Sequence, residues 1–246
     1  MTTHVVAVSG GKDSTALAIL LQEREPRDYT YVCTPTGDEL PEMFDHWKRL
    51  GVLLGKPLLP IMHTTGLNGV IEKQKCLPNN RIRFCTRILK IEPYRRWLEA
   101  QAAKGPVVSY VGLRADEQGR AGGAYGDIAG VTMRFPLREW GLDEAAVWKA
   151  LDERNISIPE RTDCARCFHQ RLGEWWRLWR EFPEIYAEAE AQEEKYNQTF
   201  RNPSRDSWPA KLSDMRVRFE KGEIPPRTKT QPDLFRGAGQ CRVCTL

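Results

Sequence analysis

The stretch Val5-Val6-Ala7-Val8-Ser9-Gly10-Gly11-Lys12-Asp13-Ser14 reads as a strand that ends in a glycine turn and opens directly into a helix. His4 to Val8 is a short β-rich run, and Ser14 to Arg24 sets Leu17, Leu20 and Leu21 at the one-sided spacing of a helix. Two glycines let the backbone turn tightly and come close to a ligand. The helix start behind them offers unpaired N–H groups and the positive end of the helix dipole. Ser9, Ser14 and Thr15 add hydroxyls, so Ser9 to Ser14 forms a cradle for phosphate or pyrophosphate. The residue order is not that of the Walker loop, G-x-x-x-x-G-K-[ST].

The same alternation continues outward. Strands are expected at Tyr29–Thr34, Leu58–Met62, Val107–Gly112 and Val131–Phe135. Helices are expected at Glu42–Leu54, at Arg87–Ala103 with Pro93 as a start or kink, and at Leu142–Arg154 with Asp143 near its start. Strands alternating with helices predict an α/β, Rossmann-like parallel sheet of five strands flanked by helices. Ligands of such sheets sit beyond the carboxyl ends of the strands. Ser9–Ser14, Thr36–Glu39 and Gly112–Glu117 all follow strand candidates. After Pro159 the pattern changes: Leu172–Lys195 is helical, rich in Trp and Glu and interrupted by Pro183, and from Asn202 onward a loose tail is expected. The chain divides into a nucleotide-binding domain, 1–159, and a helical, cysteine-containing C-terminal region, 160–246.

Composition narrows the function classes. The 246 residues are 41% hydrophobic and 28% charged, which excludes a disordered chain. No apolar run exceeds the six residues Ala16–Leu21, which excludes a transmembrane helix and a signal-peptide core and leads us to expect a cytoplasmic protein with no membrane partner. The net charge of +4 is too mild to imply nucleic-acid binding by itself. Eight basic residues between Lys73 and Arg96 face a single acid, Glu92, and read either as a solvated helix face or as a site for phosphates or a polyanion. In the C-terminal region, Trp175, Leu178 and Trp179 share one helical face and should pack onto the main domain, leaving Trp176 for stacking.

Seven cysteines without an export signal argue for metal or redox chemistry rather than disulfides. Cys164-Ala165-Arg166-Cys167 and Cys241-Arg242-Val243-Cys244 are two C-x-x-C pairs, whose spacing lets both thiolates face one metal or cluster. Arg161, Arg166 and Arg171 should favour thiolate at the first pair. Cys33 sits in an apolar strand pattern and reads as a core residue, while Cys76 is open.

Ser9-Gly10-Gly11-Lys12-Asp13-Ser14 resembles the PP-loop of the adenine nucleotide α-hydrolase superfamily. Further stretches resemble its phosphoadenosine phosphosulfate (PAPS) reductase branch. They are Thr36-Gly37-Asp38-Glu39-Leu40-Pro41-Glu42, the C-x-x-x-x-K-x-x-P run from Cys85 to Pro93, Val111-Gly112-Leu113-Arg114-Ala115-Asp116-Glu117, and Pro136-Leu137 followed by Trp140 and Val147-Trp148. The resemblance covers Val5 to about Leu151 and continues more weakly to Glu194. It implies binding of ATP, or of PAPS or its unphosphorylated analogue (APS), at Ser9, Gly10, Gly11, Lys12, Asp13, Ser14, Thr36, Gly37, Asp38, Gly112 and Arg114. Lys12 and the loop would hold the leaving phosphates, Arg114 would neutralise phosphate or sulfate, and Asp13 or Asp38 would reach Mg2+.

The resemblance also implies a [4Fe–4S] cluster on Cys85, Cys164 and Cys167, with Cys241 or Cys244 as fourth ligand or catalytic sulfur and Zn2+ as the alternative metal. Lys12, Asp13, Arg114 and Cys244 are the catalytic candidates. One departure matters. The branch's reductases end in a Glu-Cys-Gly segment, whereas this chain ends Gly-Gln-Cys-Arg-Val-Cys-Thr-Leu, and position 85 lacks the adjacent paired cysteine of cluster-bearing members. The expected function is therefore ATP-dependent, iron–sulfur-dependent sulfur transfer to an adenylated acceptor. Thiol-dependent sulfonucleotide reduction is the alternative, and a zinc-containing nucleotide or nucleic-acid binding module is the second alternative. Expected partners are an adenine nucleotide, a nucleic-acid or small-molecule sulfur acceptor, a sulfur or thiol donor, and further copies of the chain in a homo-oligomer.

Overall fold

The computed structural model describes residues 1–120 and 125–226. Strand β1 (Thr3–Ala7) leads through the glycine turn into helix α1 (Lys12–Arg24), followed by β2 (Tyr29–Cys33), α2 (Pro41–Leu53), β3 (Leu59–Pro60) and α3 (Gly66–Gln74). A helical turn, α4 (Phe84–Thr86), then runs through a π turn (Arg87–Ile91) into α5 (Glu92–Ala102). Next come β4 (Val107–Tyr110), β5 (Val131–Arg134), α6 (Pro136–Glu139) and α7 (Glu144–Asp152), and the described chain closes with α8 (Leu172–Glu181), α9 (Pro183–Tyr196) and α10 (Leu212–Glu220).

The five strands are all parallel, in the order β3-β2-β1-β4-β5. The order reverses between β1 and β4, so the carboxyl ends of these two strands flank the crevice where a ligand of such a sheet binds. β3 contributes two residues rather than the five expected, because Pro57 and Pro60 limit its ladder.

Helix α1 is buried along most of its length, with Leu17 and Leu21 fully covered among Val6, Tyr29, Leu137 and Val147. Truncating either leucine to alanine should cost about 2–5 kcal/mol. Asp143 caps α7 by accepting from the Ala146 N–H at 2.9 Å.

Pro93 falls in the first turn of α5, and the π turn lies directly before it. Pro has no N–H and its ring crowds the preceding turn, so the helix widens there. The sequence pattern missed α3 and α10. Instead of a loose tail, the chain after Asn202 forms α10, where Leu212, Met215 and Phe219 are buried at the spacing of one helical face. They join Trp175, Leu178, Tyr186 and Trp208 in an apolar cluster that also takes in Leu40, Leu67, Ile71, Phe84 and Leu89. Trp175 and Leu178 are thus in the core as expected, and Trp176 lies under the Arg180 guanidinium, 4.2 Å from its ring centre.

The basic segment is divided among several tasks: Lys75 pairs with Glu72, Arg87 with Glu92, and Arg95 with Glu99 and Asp127.

Candidate active site

The phosphate cradle is shaped by two close approaches. Gly10 holds φ +90°, and a Cβ there would stand 2.6 Å from Met43 Cε and 2.7 Å from Trp47 Nε1. The Trp47 indole donates to the Ser9 carbonyl at 3.2 Å, so α2 buttresses the turn from behind. Within the loop, Ser14 Oγ accepts from the Gly10 N–H at 3.2 Å, and Ser9 Oγ accepts from the Gly11 N–H at 3.3 Å. Gly11 caps α1 without a side chain to cover its first N–H groups. On the β4 side, a Cβ on Gly112 would lie 3.0 Å from the carbonyl carbon and oxygen of Asp13. A side chain there would push the two loops apart by a few tenths of an ångström, and this contact brings Lys12, Asp13 and Arg114 together.

Lys12 is fully buried, with Nζ 3.3 Å from Asp13 and 3.4 Å from Glu144. Arg114 reaches both oxygens of Asp13 at 3.2 and 3.1 Å and forms a bidentate pair with Asp116 at 2.9 Å. Burial raises the Asp13 carboxyl, against the opposing pull of Lys12 and Arg114. Burial also opposes the Arg114 charge, but its bonds to Asp116 and Asp13 and the field of Glu117 outweigh it and raise its pKa. Asp116 is lowered by its bond from Arg114. The pattern is a buried cation pair held in place by carboxylates, at the end of α1 where anions are favoured.

In the strand-2 loop, Asp38 is engaged within the fold. Both Asp38 oxygens serve Arg166: one accepts from its backbone N–H at 2.9 Å, the other from its guanidinium at 2.6 Å. The pair is buried, so Asp38 pins the first C-x-x-C to the sheet and is not free to reach a Mg2+ ion. Thr36 and Gly37 are organised by Glu39, which accepts from Thr36 N–H and Oγ1 at 2.7 Å and from Gly37 N–H at 3.0 Å. Thr36 Oγ1 also lies 3.2 Å from Cys164 Sγ.

Cys85, Cys164 and Cys167 line one cavity with Thr36, Lys90 and Phe168, about 20 Å3 in volume and large enough for a water. Among the described residues no three Cys, His, Asp or Glu side chains are arranged to hold a metal ion. The expected thiolate character is absent: burial pushes Cys164 well above its ordinary value, Cys167 up to about 12, and Cys85 upward as well. The arginines do not reverse this, because Arg166 is turned to Asp38 and Glu188, and Arg161 donates to the Cys164 carbonyl at 2.8 Å. Cys33 is buried as a core residue, and Cys76 packs half-buried against the apolar cluster. Cys241 and Cys244 lie outside the described residues.

Two participants escaped the sequence reading. Glu144 reads as a first-turn acid of α7, and Glu39 as one acid in a loop. Their roles depend on which loops meet in space.

Residues 3–161 match the phosphoadenosine phosphosulfate reductase domain model. The chain belongs to this family. Its sheet order and flanking helices are those of the adenine nucleotide α-hydrolase fold, as the resemblance implied. An uncharacterized protein of Methanocaldococcus jannaschii is 27% identical over 197 residues, covering 74% of this chain and 39% of its own length, so the chain spans well under half of that relative. Among solved structures, phosphoadenylyl-sulfate reductase of Candida auris aligns at 16% identity and a TM-score of 0.48, covering 64% of this chain and 75% of its own. The U34-tRNA thiolase of Methanococcus maripaludis, solved with its [4Fe–4S] cluster, aligns at 16% identity and 0.47, covering 100% of this chain and 80% of its own. Family and fold support nucleotide-handling catalysis in general. Among the described residues, no helix is long and apolar enough to cross a membrane.

Proposed function

We propose that this chain binds an adenylyl nucleotide across the carboxyl ends of β1 and β4 and catalyses displacement at, or of the group carried by, its α-phosphate. The observation that carries this is the contact of Gly112 with Asp13, which sets buried Lys12 and Arg114 at the start of α1. Fixed cations and N–H groups in a water-poor site stabilise charge on a departing phosphate. Lys12 holds that charge, Arg114 neutralises phosphate or sulfate oxygens, and Asp13 keeps both cations aligned. Mg2+ arriving with the phosphates would add neutralising charge, and Asp13 and Glu144 are the acids closest to Lys12.

The family match favours a thiol-dependent sulfonucleotide reductase. A thiolate attacks the sulfur of PAPS or APS, an S–S bond forms, and the O–S bond breaks with its electron pair leaving on the nucleotide. A second thiol then attacks the protein sulfur, giving a disulfide and sulfite. Cys244 is the candidate nucleophile and Cys241 its neighbour. The buried Cys85, Cys164 and Cys167 are held as thiols and suit this attack poorly.

A second reading, ATP-dependent sulfur transfer, draws on those same three cysteines lining one cavity. By donor chemistry they fit a [4Fe–4S] cluster or Zn2+, and the cavity would have to widen to admit a cluster. A cluster would supply sulfur-handling iron, and Zn2+ a structural tie. In this reading an acceptor oxygen attacks the α-phosphorus and pyrophosphate leaves; hydrosulfide supplied by a sulfur donor then attacks the activated carbon, a C–S bond forms, and the C–O bond breaks with its electron pair leaving on AMP.

The test compares sulfite release from PAPS or APS plus thiol with pyrophosphate release from ATP, alongside iron, sulfide and zinc content. Lys12→Ala should lower whichever activity is present by about 10²–10³-fold. Undiminished turnover in that variant overturns the proposal. One zinc per chain with neither activity would instead leave a nucleotide-binding module.

A further inference from the structure

A second pocket of about 330 Å3 is formed where the segment after α3 meets the segment between α9 and α10. The volume lies in the range of small-ligand sites.

The polar lining is unusually one-sided. Asn79, Gln198 and Asn202 each have their amide oxygen occupied by backbone: Asn79 accepts from Arg81 and Ile82 N–H at 2.9 and 3.0 Å, Gln198 from Leu77 N–H at 2.8 Å, and Asn202 from Ser204 N–H at 2.9 Å. Their NH2 groups, which can only donate, are what remains for a ligand. Arg81 is exposed on the rim and has no carboxylate partner among the described residues. Arg201 is 1% exposed and spends its guanidinium inside the fold, pairing with Asp206 at 2.7 Å and donating to the Pro209 carbonyl, so it backs the pocket rather than opening a free cation into it. Among the described residues, no carboxylate lines the pocket. Three amide donors and the Arg81 guanidinium, with no acid in the described lining, form a site for an oxyanion.

We propose that this pocket binds the phosphate of a nucleotide, either free or within a nucleic-acid strand, as a second substrate distinct from the adenylyl nucleotide over the Ser9–Ser14 loop. Phe168 lines both this pocket and the cavity of Cys85, Cys164 and Cys167. The assignment as sulfur acceptor rests on the sulfur-transfer reading above, whereas the phosphate site itself does not.

The experiment uses the full chain and two probes: a fluorescein-labelled single-stranded RNA 12-mer of mixed sequence, followed by anisotropy at several salt concentrations, and uridine 5′-monophosphate by calorimetry. The Arg81 side chain makes no hydrogen bond or ion pair within the described chain, so Arg81→Ala should leave the fold intact, checked by an unchanged melting temperature. Arg81→Ala should weaken binding of the bound probe at least fivefold and flatten its log affinity against log salt by about 0.7–0.9, the share of one phosphate contact. Lys12→Ala should leave that binding unchanged while removing ATP binding. Tighter binding of the strand than of the monophosphate assigns the phosphate to nucleic acid; equal binding assigns it to free nucleotide. Unaltered affinity and salt slope in Arg81→Ala, or no binding of either probe to the native chain at millimolar concentration, overturns the proposal. If only this site fails, Lys12→Ala still abolishes turnover; if only the reaction fails, Arg81-dependent binding remains.

Discussion

The β1–β4 crevice and the cysteine cavity are built by opposite means. In the crevice, the functional groups come from two short contiguous motifs, and their charges are kept by pairing: Lys12 and Arg114 are buried among Asp13, Asp116 and Glu144. In the cavity, the groups come from Cys85 before the π turn and from Cys164 and Cys167 before α8, and burial outweighs the pull of Lys90 and Arg161 and raises all three thiols. Burial therefore disfavours charge wherever opposite charges held close do not outweigh it.

Asp38 joins the two, so its removal is the hardest test of the comparison. Asp38→Ala leaves Arg166 buried and without its main partner, and should cost about 3–5 kcal/mol in denaturant unfolding. It should also loosen the cysteine cavity, seen as faster labelling of Cys164 by a thiol reagent. An unchanged labelling rate would mean the C-x-x-C is held by Arg161 and Gln170 alone, which bond the carbonyls of Cys164 and Ala165.

A second test touches only the helical side. Glu193 is 1% exposed and accepts from the N–H groups of Phe200 and Leu212 at 2.8 and 2.7 Å, and burial pushes its carboxyl from 4.5 up to about 7. Between pH 4.5 and 7 the folded chain then binds more protons than the unfolded one, so this residue makes stability fall as pH rises, by up to about 3 kcal/mol. His46, lowered by burial to about 4, contributes the opposite slope between pH 4 and 6.5. The measurement is therefore the difference between native and Glu193→Gln profiles, which should show the variant gaining relative stability as pH rises. Parallel profiles would show that Glu193 stays ionised. Nucleotide binding should be unaffected.

The mildest perturbation confines itself to the crevice. Gly112→Ala drives a methyl against Asp13 and should lower stability by about 1–3 kcal/mol and adenylyl-nucleotide affinity about tenfold, with labelling of Cys164 unchanged. If affinity holds, the two loops do not need their close contact to bind.

Much of this was legible beforehand. The alternation of strand and helix patterns gives the parallel sheet, and Ser9–Ser14 and Gly112–Arg114 fall at strand ends because ligand loops must lie there. Besides the short turns α4 and α6, two helices were missed for different reasons. α3 begins at Gly66 and carries only Leu67, Val70 and Ile71 as its buried face, too short a repeat to stand out. α10 does carry Leu212, Met215 and Phe219 at helical spacing, but Pro- and Arg-rich flanks obscured it. The Arg166 partner of Asp38 could not be read beforehand, since an acid in a loop after a strand looks the same whether it faces a phosphate or an arginine 128 positions away.

The sequence by itself determined the fold class, the phosphate loop and the family, because each rests on local order: hydrophobic period, a glycine turn, a helix start. Only the tertiary structure decided which carboxylates hold Lys12 and Arg114, that Asp38 serves Arg166, and that amides and arginines from two distant segments share a pocket without an acid. Those outcomes depend on which side chains are buried together, and burial sets the sign and strength of every charge interaction that follows.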